Sequence, residues 1–450
     1  MADTLTEPCS TDLTWDEAHH RLIPLLRAND FTNVFYILGE YVGLIGSLAA
    51  CAWLYSAWSS GRLPTAGFLP SSVFGIAVIA AFQHRLSGLG HEASHYALFK
   101  NRLANELVSD LLCMFPLMAM TQRFRVTHLG HHQFLNDAER DPDVPRLHFD
   151  EDRYPFPMSK ATFWYRYVVL SIWPPSLLKY LFGQAKNANV TAGFREPRCV
   201  YRFRVGRCLR GAYWLPILTF VHLTGSWPIF FLFWVIPLLT FYAFFMQLRE
   251  IAHHSNAPAD GEFSHSRNFH CNPIFNWAVF PYGQDYHLTH HVFGLMPHYN
   301  LAKAHEILMR YPPYREQAVA CYGYFFPRLG RKGPTVLDVL SRREEYYSGN
   351  QDPHKSLQPI RSSNSRSRLP RDQRSTTEST EIHGKEETVA SLPGPIRRSL
   401  GRNRGESAWD PLNASEFAPN SANGLIPSLI AWAKSQPPGN DAIVSDREGM

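Results

Sequence analysis

Apolar residues gather between about residue 34 and residue 247, in long blocks rather than in the narrow stripes of a soluble helix. The block VFYILGEYVGLIGSLAACAWLYSAW at 34–58 is long enough to span a bilayer. Its one charge, Glu40, falls near an end of the span and is expected at the interface, not in a functional role inside the membrane. A turn with Arg62 and Pro64 leads to a second expected span at 66–83. Two more are expected at 211–225 (GAYWLPILTFVHLTG) and 228–247 (PIFFLFWVIPLLTFYAFFMQ), joined by a tight Gly225-Ser226-Trp227-Pro228 turn. Residues 162–182 read differently. Arg166, Lys179 and the Pro174-Pro175 break argue for an interfacial or re-entrant helix, because charges and prolines are costly in lipid. Residues 104–120 predict an amphipathic helix with Glu106 and Asp110 one turn apart, too polar at its start to span.

From about residue 350, Ser, Arg, Pro, Glu and Asn dominate and apolar periodicity is lost, so 350–450 are expected to be disordered. The run GLIPSLIAWAK at 424–434 is read as an incidental apolar stretch. The expected fold is an all-α integral membrane protein with four transmembrane helices, a cytoplasmic helical cap and a disordered C-terminal tail. Its segments would be a cytoplasmic N-terminus (1–33), a membrane domain (34–349) and the tail (350–450).

Composition sharpens this picture. The mean hydropathy of −0.23 averages a very apolar middle with a very polar end, and so understates the membrane character. The net charge of +5 does not point to nucleic acid, because the arginines lie beside apolar segments. Lys186, Arg195, Arg198, Arg202, Arg204, Arg207 and Arg210 occupy 183–210, whereas the predicted outer loops show little beyond Arg62. The positive-inside rule therefore turns 183–210 toward the cytoplasm, in a bacterial inner membrane or the endoplasmic reticulum. The 7 cysteines are scattered with no CxxC, which excludes a thiolate zinc or rubredoxin-type site and fits a reducing compartment. Asp3, Glu7, Asp12 and Asp16 make the N-terminus unlike a cleavable secretory signal.

Histidine carries the chemistry. His91-Glu92-Ala93-Ser94-His95 is an HxxxH, and His128-Leu129-Gly130-His131-His132 and His287-Leu288-Thr289-His290-His291 are both HxxHH. On a helix, positions i, i+3 and i+4 share a face, so each cluster can aim its imidazoles at one point. The eight imidazoles of these three clusters can hold two metal ions, more than a single zinc site would use. Parity supports one shared site. If 162–182 crossed the membrane, the second and third clusters would lie on opposite sides; with four spans, all three face the cytoplasm. Read alone, the first cluster is the HExxH of zinc proteases with Glu92 as general base, but that chemistry leaves both HxxHH clusters unexplained. A histidine-rich metal transporter would place its site at the bilayer midplane, and a non-enzymatic metal-binding membrane protein would turn over no lipid and bind zinc over iron. Imidazole suits iron, copper, zinc and nickel, and zinc does no redox chemistry. Next to lipid, the pattern points to two irons that activate dioxygen against an unactivated C–H bond.

The chain resembles the membrane fatty acid desaturase superfamily over roughly residues 70–312. The likeness extends beyond the boxes to HEASHYALF (91–99), HLGHHQFLNDAERDPD (128–143) and YHLTHHVFGLMPHYNLAKAHEIL (286–308). The resemblance implies a four-helix membrane domain with a cytoplasmic cap, a diiron centre (Fe2+/Fe3+) and O2 as co-substrate. It implies as ligands His91, His95, His128, His131, His132, His287, His290 and His291. A ninth ligand is carried to His254 from a stretch resembling R-x-x-x-E-H, here Arg249-Glu250-Ile251-Ala252-His253-His254. His253 stands where the family often has Glu, so it is the alternative to His254. Glu250, His253, Glu92, Asp143 and Asp285 are candidates for an extra ligand or for groups that orient one. Asp137 and Asp141 lie near a box too, although Asp-Pro-Asp also reads as a turn. His84, His265, His270, His298 and His305 are read as packing or surface residues.

The expected reaction places a C=C bond in a lipid acyl chain, with hydroxylation as the alternative. The chain has no His-Pro-Gly-Gly, no dinucleotide fingerprint and no cysteine cluster. Electrons are therefore expected from an external ferredoxin or cytochrome b5 with its reductase, and 183–210 could dock an acidic carrier.

Overall fold

A computed structural model describes residues 12–137, 140–143, 156–173, 175, 200–257 and 262–341. The tail expected over 350–450, and most of the basic stretch 183–210, lie outside these residues. The described chain is mostly helical. Helix α1 (Trp15–Leu22) opens on a capping box, Thr14 accepting from the amide of Glu17 and the Glu17 carboxylate accepting from that of Thr14. Then come α2 (Thr32–Ser59), α3 (Thr65–Ser94), α4 (Arg102–Ser109) and α5 (Thr121–Gln133). Helix α6 (Lys160–Phe163) continues through a π-helical stretch, Trp164–Val169, and a 3-10 turn, Leu170–Ile172. Helices α7 (Phe203–Leu223) and α8 (Trp227–His254) complete the long rods.

Among the described residues three helices, α2, α3 and α8, are long and apolar enough to cross a membrane. A fourth candidate is the bent pair of 102–117 and 121–133, which meets at 91°. Helix α7, which contains the expected span 211–225, carries Arg204, Arg207 and Arg210 in its first turns and is not among the three. The expected second span ends at residue 83, but α3 runs on to Ser94. At 1.5 Å per residue its 30 residues reach about 45 Å, past a hydrocarbon core of about 30 Å. One rigid rod thus leaves the apolar layer and carries the first histidine box.

Glu40 is paired between α2 and α3. It is buried against Arg85 of α3, whose Nε and Nη2 donate to it at 2.6–3.0 Å, and the Tyr282 hydroxyl also donates to it. Arg85 supplies the countercharge that lets a carboxylate sit between two membrane helices. Its guanidinium also holds the Trp277 carbonyl at 3.0 Å.

The cap assembles around two apolar cores. One joins Phe163 and Tyr167 to Leu248, Ile251, Phe269, Phe280, Tyr324 and Val336. It is built from α9 (Pro273–Val279), α13 (Val336–Ser341) and a parallel pair, β1 (Arg267–Phe269) with β2 (Val319–Cys321), in the register Arg267↔Val319. These two short strands amend the all-α expectation. The other core packs Leu22 against Leu288, Leu301 and Leu308 of α10 (His287–Val292) and α11 (His298–Leu308), beside α12 (Pro312–Gln317). Trp15 stacks on Phe293 with ring centroids 6.2 Å apart, so the described part of the N-terminal segment belongs to the cap.

Candidate metal centre

Four helices deliver the imidazoles: the end of α3, the body of α5, the end of α8 and the short α10. Their Nε2 atoms converge in two groups. In the first, Nε2 of His95 lies 2.8 Å from that of His128, which lies 3.1 Å from that of His132, itself 3.2 Å from that of His290. His91 completes it, offering a ring nitrogen within 4.8 Å of those of His95, His128 and His290. In the second, Nε2 of His131 lies 3.2 Å from that of His254, which is 2.9 Å from that of His287, itself 3.1 Å from that of His291. The groups adjoin, with the rings of His132 and His291 stacked 4.2 Å apart. Each HxxHH box is divided between them, because neighbouring histidines leave a helix about 100° apart.

A neutral imidazole has one N–H and one lone pair. The Asp141 carboxylate faces Nδ1 of His131 at 2.9 and 3.1 Å and fixes the proton there, so the Nε2 of His131 is a bare lone pair aimed at the second group. Burial and the neighbouring rings hold His287 and His291 well below the ordinary imidazole range, and burial brings His290 down to about 3. These rings are therefore neutral at neutral pH, each with one lone pair to offer. Protons can be shared only pairwise along such a run of nitrogens about 3 Å apart, which leaves lone pairs facing one another. A cation in each group removes that repulsion, so the residues present fit transition-metal ions.

The remaining candidates fall around these groups. His253 stacks on His287 at 3.4 Å, while its Nε2 faces the Gln284 carbonyl at 3.2 Å; His254 is the one whose Nε2 enters the second group. Glu92 accepts the His298 amide at 2.8 Å and so caps α11, with its other oxygen 3.7 Å from Nδ1 of His91. That is not the free, metal-facing carboxylate a zinc protease needs. Asp143 lies 3.5 Å from Nδ1 of His131, whereas the buried Asp141 makes the close contact and also accepts from the amides of Asn136 and Asp143 at 2.8 Å. Asp285 instead accepts from Asn276 at 3.2 Å, and burial raises its carboxyl to about 7. Glu250 is buried 3.8 Å from Arg249 and joins neither group.

Sequence reasoning did not single out Arg125. This fully buried side chain on α5 donates to the Ser94 and Ala93 carbonyls at 2.9 and 2.8 Å and pairs with Glu106 of α4. It ties the end of the first box to the helix of the second. The one available signal was an arginine three residues before a histidine box, too common to interpret alone.

Membrane-length apolar helices, two of them ending in a buried polyhistidine centre, define a membrane protein able to hold metal. The profile of the fatty acid desaturase family matches residues 68–323, and the chain belongs to that family of oxidoreductases. It is 27% identical over 334 residues to dihydrorhizobitoxine desaturase of Bradyrhizobium elkanii, covering 71% of this chain and 86% of that one. It is 25% identical over 292 residues to the chloroplastic omega-6 fatty acid desaturase of Arabidopsis thaliana, covering 60% of each. It is 25% identical over 232 residues to the sn-1 oleoyl-lipid 12-desaturase of a Picosynechococcus species, covering 48% of this chain and 63% of that one.

Proposed function

We propose that this chain is a diiron, O2-dependent desaturase that places a C=C bond in a lipid acyl chain, with its histidine centre on the cytoplasmic face of a four-span domain. The reading assigns His91, His95, His128, His132 and His290 to one iron and His131, His254, His287 and His291 to the other. The observation that carries it is the pair of adjoining Nε2 groups at the ends of apolar helices, in a family of desaturases. Iron, when bound, supplies the redox chemistry that activates dioxygen for C–H cleavage. The protein's own part is to keep the imidazoles neutral, to hold the proton of His131 on Nδ1 through Asp141, and to keep water away by burial.

The balance is one CH2–CH2 unit, one O2, two electrons and two protons giving CH=CH and two waters. The electrons come from an external carrier of ferredoxin or cytochrome b5 type with its reductase. Hydroxylation uses the same inputs, inserts one oxygen and releases one water; these ligands serve either outcome. The relatives are named for dihydrorhizobitoxine and for acyl lipids, so the test must be open to both. Expression in a host of known lipid profile, followed by mass spectrometry of lipids and small metabolites, should show a product lighter by two hydrogens. A product heavier by one oxygen would replace desaturation with hydroxylation. Metal analysis of the purified chain should return two irons; a single zinc would refute the diiron assignment.

A further inference from the structure

Segment 160–173 and the loop after β2 form a surface whose composition does not suit water. Phe163, Tyr167 and Ser171 recur every four residues and are buried in the cap. Tyr165, Val169 and Trp173 recur at the same interval and are exposed. A water-facing helix keeps one apolar face; this one has two. Trp164 continues the surface to the loop, its ring 4.6 Å from that of Phe325 and 6.0 Å from that of Phe326. Phe275 of α9 meets Phe325 at 6.1 Å. On this side Phe326 is 72% exposed, Ile274 78% and Leu329 98%. The stretch 325–334 also holds Arg328, Arg331 and Lys332 and no carboxylate.

Its level along the membrane helices can be read from four bonds. The Ser171 hydroxyl donates to Gln247 at 3.2 Å, and the Tyr324 hydroxyl to the Leu248 carbonyl at 2.8 Å. Nδ1 of His84 is 2.8 Å from the Ala278 carbonyl, and Arg85 donates to that of Trp277 at 3.0 Å. Gln247 closes the apolar block 228–247, and His84 and Arg85 directly follow the block 66–83. The surface thus sits where α3 and α8 leave the hydrocarbon. Exposed aromatics with arginine and lysine at that level are the composition of a membrane interface.

We propose that this surface is a second, peripheral membrane attachment of the cap. Phe326, Leu329 and the outer face of 160–173 seat among the lipid headgroups, and Arg328, Arg331 and Lys332 engage anionic ones. An acidic protein partner would satisfy the cations but not the fully exposed leucine level with the bilayer edge. Attraction of these three cations to an anionic leaflet biases the depth at which the loop sits.

The test is hydrogen–deuterium exchange of the full chain in nanodiscs of phosphatidylcholine with and without phosphatidylglycerol. Amides of 326–332 should exchange several-fold more slowly with the anionic lipid. Arg328→Gln/Arg331→Gln/Lys332→Gln should abolish the difference between lipids. Phe326→Ser/Leu329→Ser should speed exchange in both, with α3 unchanged as the control for folding. Equal exchange in both lipids and all variants would overturn the proposal. So would rapid exchange in both bilayers that slows only on adding an acidic electron carrier, since the surface would then be a protein-docking site. Neither result depends on turnover, so the desaturase reading stands or falls separately.

Discussion

Asp141 shows how much a single side chain outside the metal-facing ring can decide. Its carboxylate holds the proton of His131 on Nδ1 and is itself braced by two backbone amides. Asp141→Asn keeps the shape and loses the charge. Metal affinity should fall about 10–100-fold, as measured by iron retained after dialysis against graded chelator; wild-type retention would refute the role. Two histidines away from the metal groups predict a pH response. Burial holds His298 at about 3 and His305 at about 4, against an ordinary 6.5. Below about pH 6.5 the unfolded chain binds protons that the folded chain refuses, so these residues cost stability as pH falls toward those values and nothing above 6.5. His298→Gln, which retains a donor toward Asn33, should show a smaller drop in unfolding temperature between neutral and acidic buffer than wild type.

At the scale of elements, one guanidinium joins three of them. Arg125 binds the last carbonyls of α3, pairs with Glu106 of α4 and lies 4.0 Å over the Tyr96 ring. Arg125→Met leaves Glu106 buried and unpaired, and should cost about 3–5 kcal/mol in unfolding experiments. Adding Glu106→Met should recover much of that loss; no recovery would mean that the carbonyl contacts, not the ion pair, carry the effect. The boxes were legible in the sequence because their spacing is local: i, i+3 and i+4 set a face wherever the helix goes. Arg125–Glu106 and Arg85–Glu40 were not, because those partners meet only through tertiary packing. Asp141 was half legible, since Asp-Pro-Asp reads equally as a turn, and it is both.

Over the whole molecule, three of the four apolar blocks lie in helices long and apolar enough to cross a membrane, and α3 outlasts its apolar stretch. Helix α3 continues through its buried polar end because the cap, not lipid, surrounds those residues. The cap could not be drawn in advance, since its cores combine residues from Leu22 to Leu340. It should report on metal. Binding that favours the folded chain stabilises it, and here it also relieves facing lone pairs. Chelation should therefore lower the unfolding temperature, and ferrous iron should restore it; a temperature indifferent to both would mean that the nitrogens do not share a metal.

The division of the third box between the two groups has a consequence in time. His290 belongs to one group, His287 and His291 to the other, and all three emerge from the ribosome after the four blocks expected to span. Neither group can close while the chain is still being threaded into the bilayer. The first group has four of its five imidazoles once α3 and α5 are made, whereas the second has only His131 and waits for α8 and α10, so the two halves of the centre are completed in a fixed order.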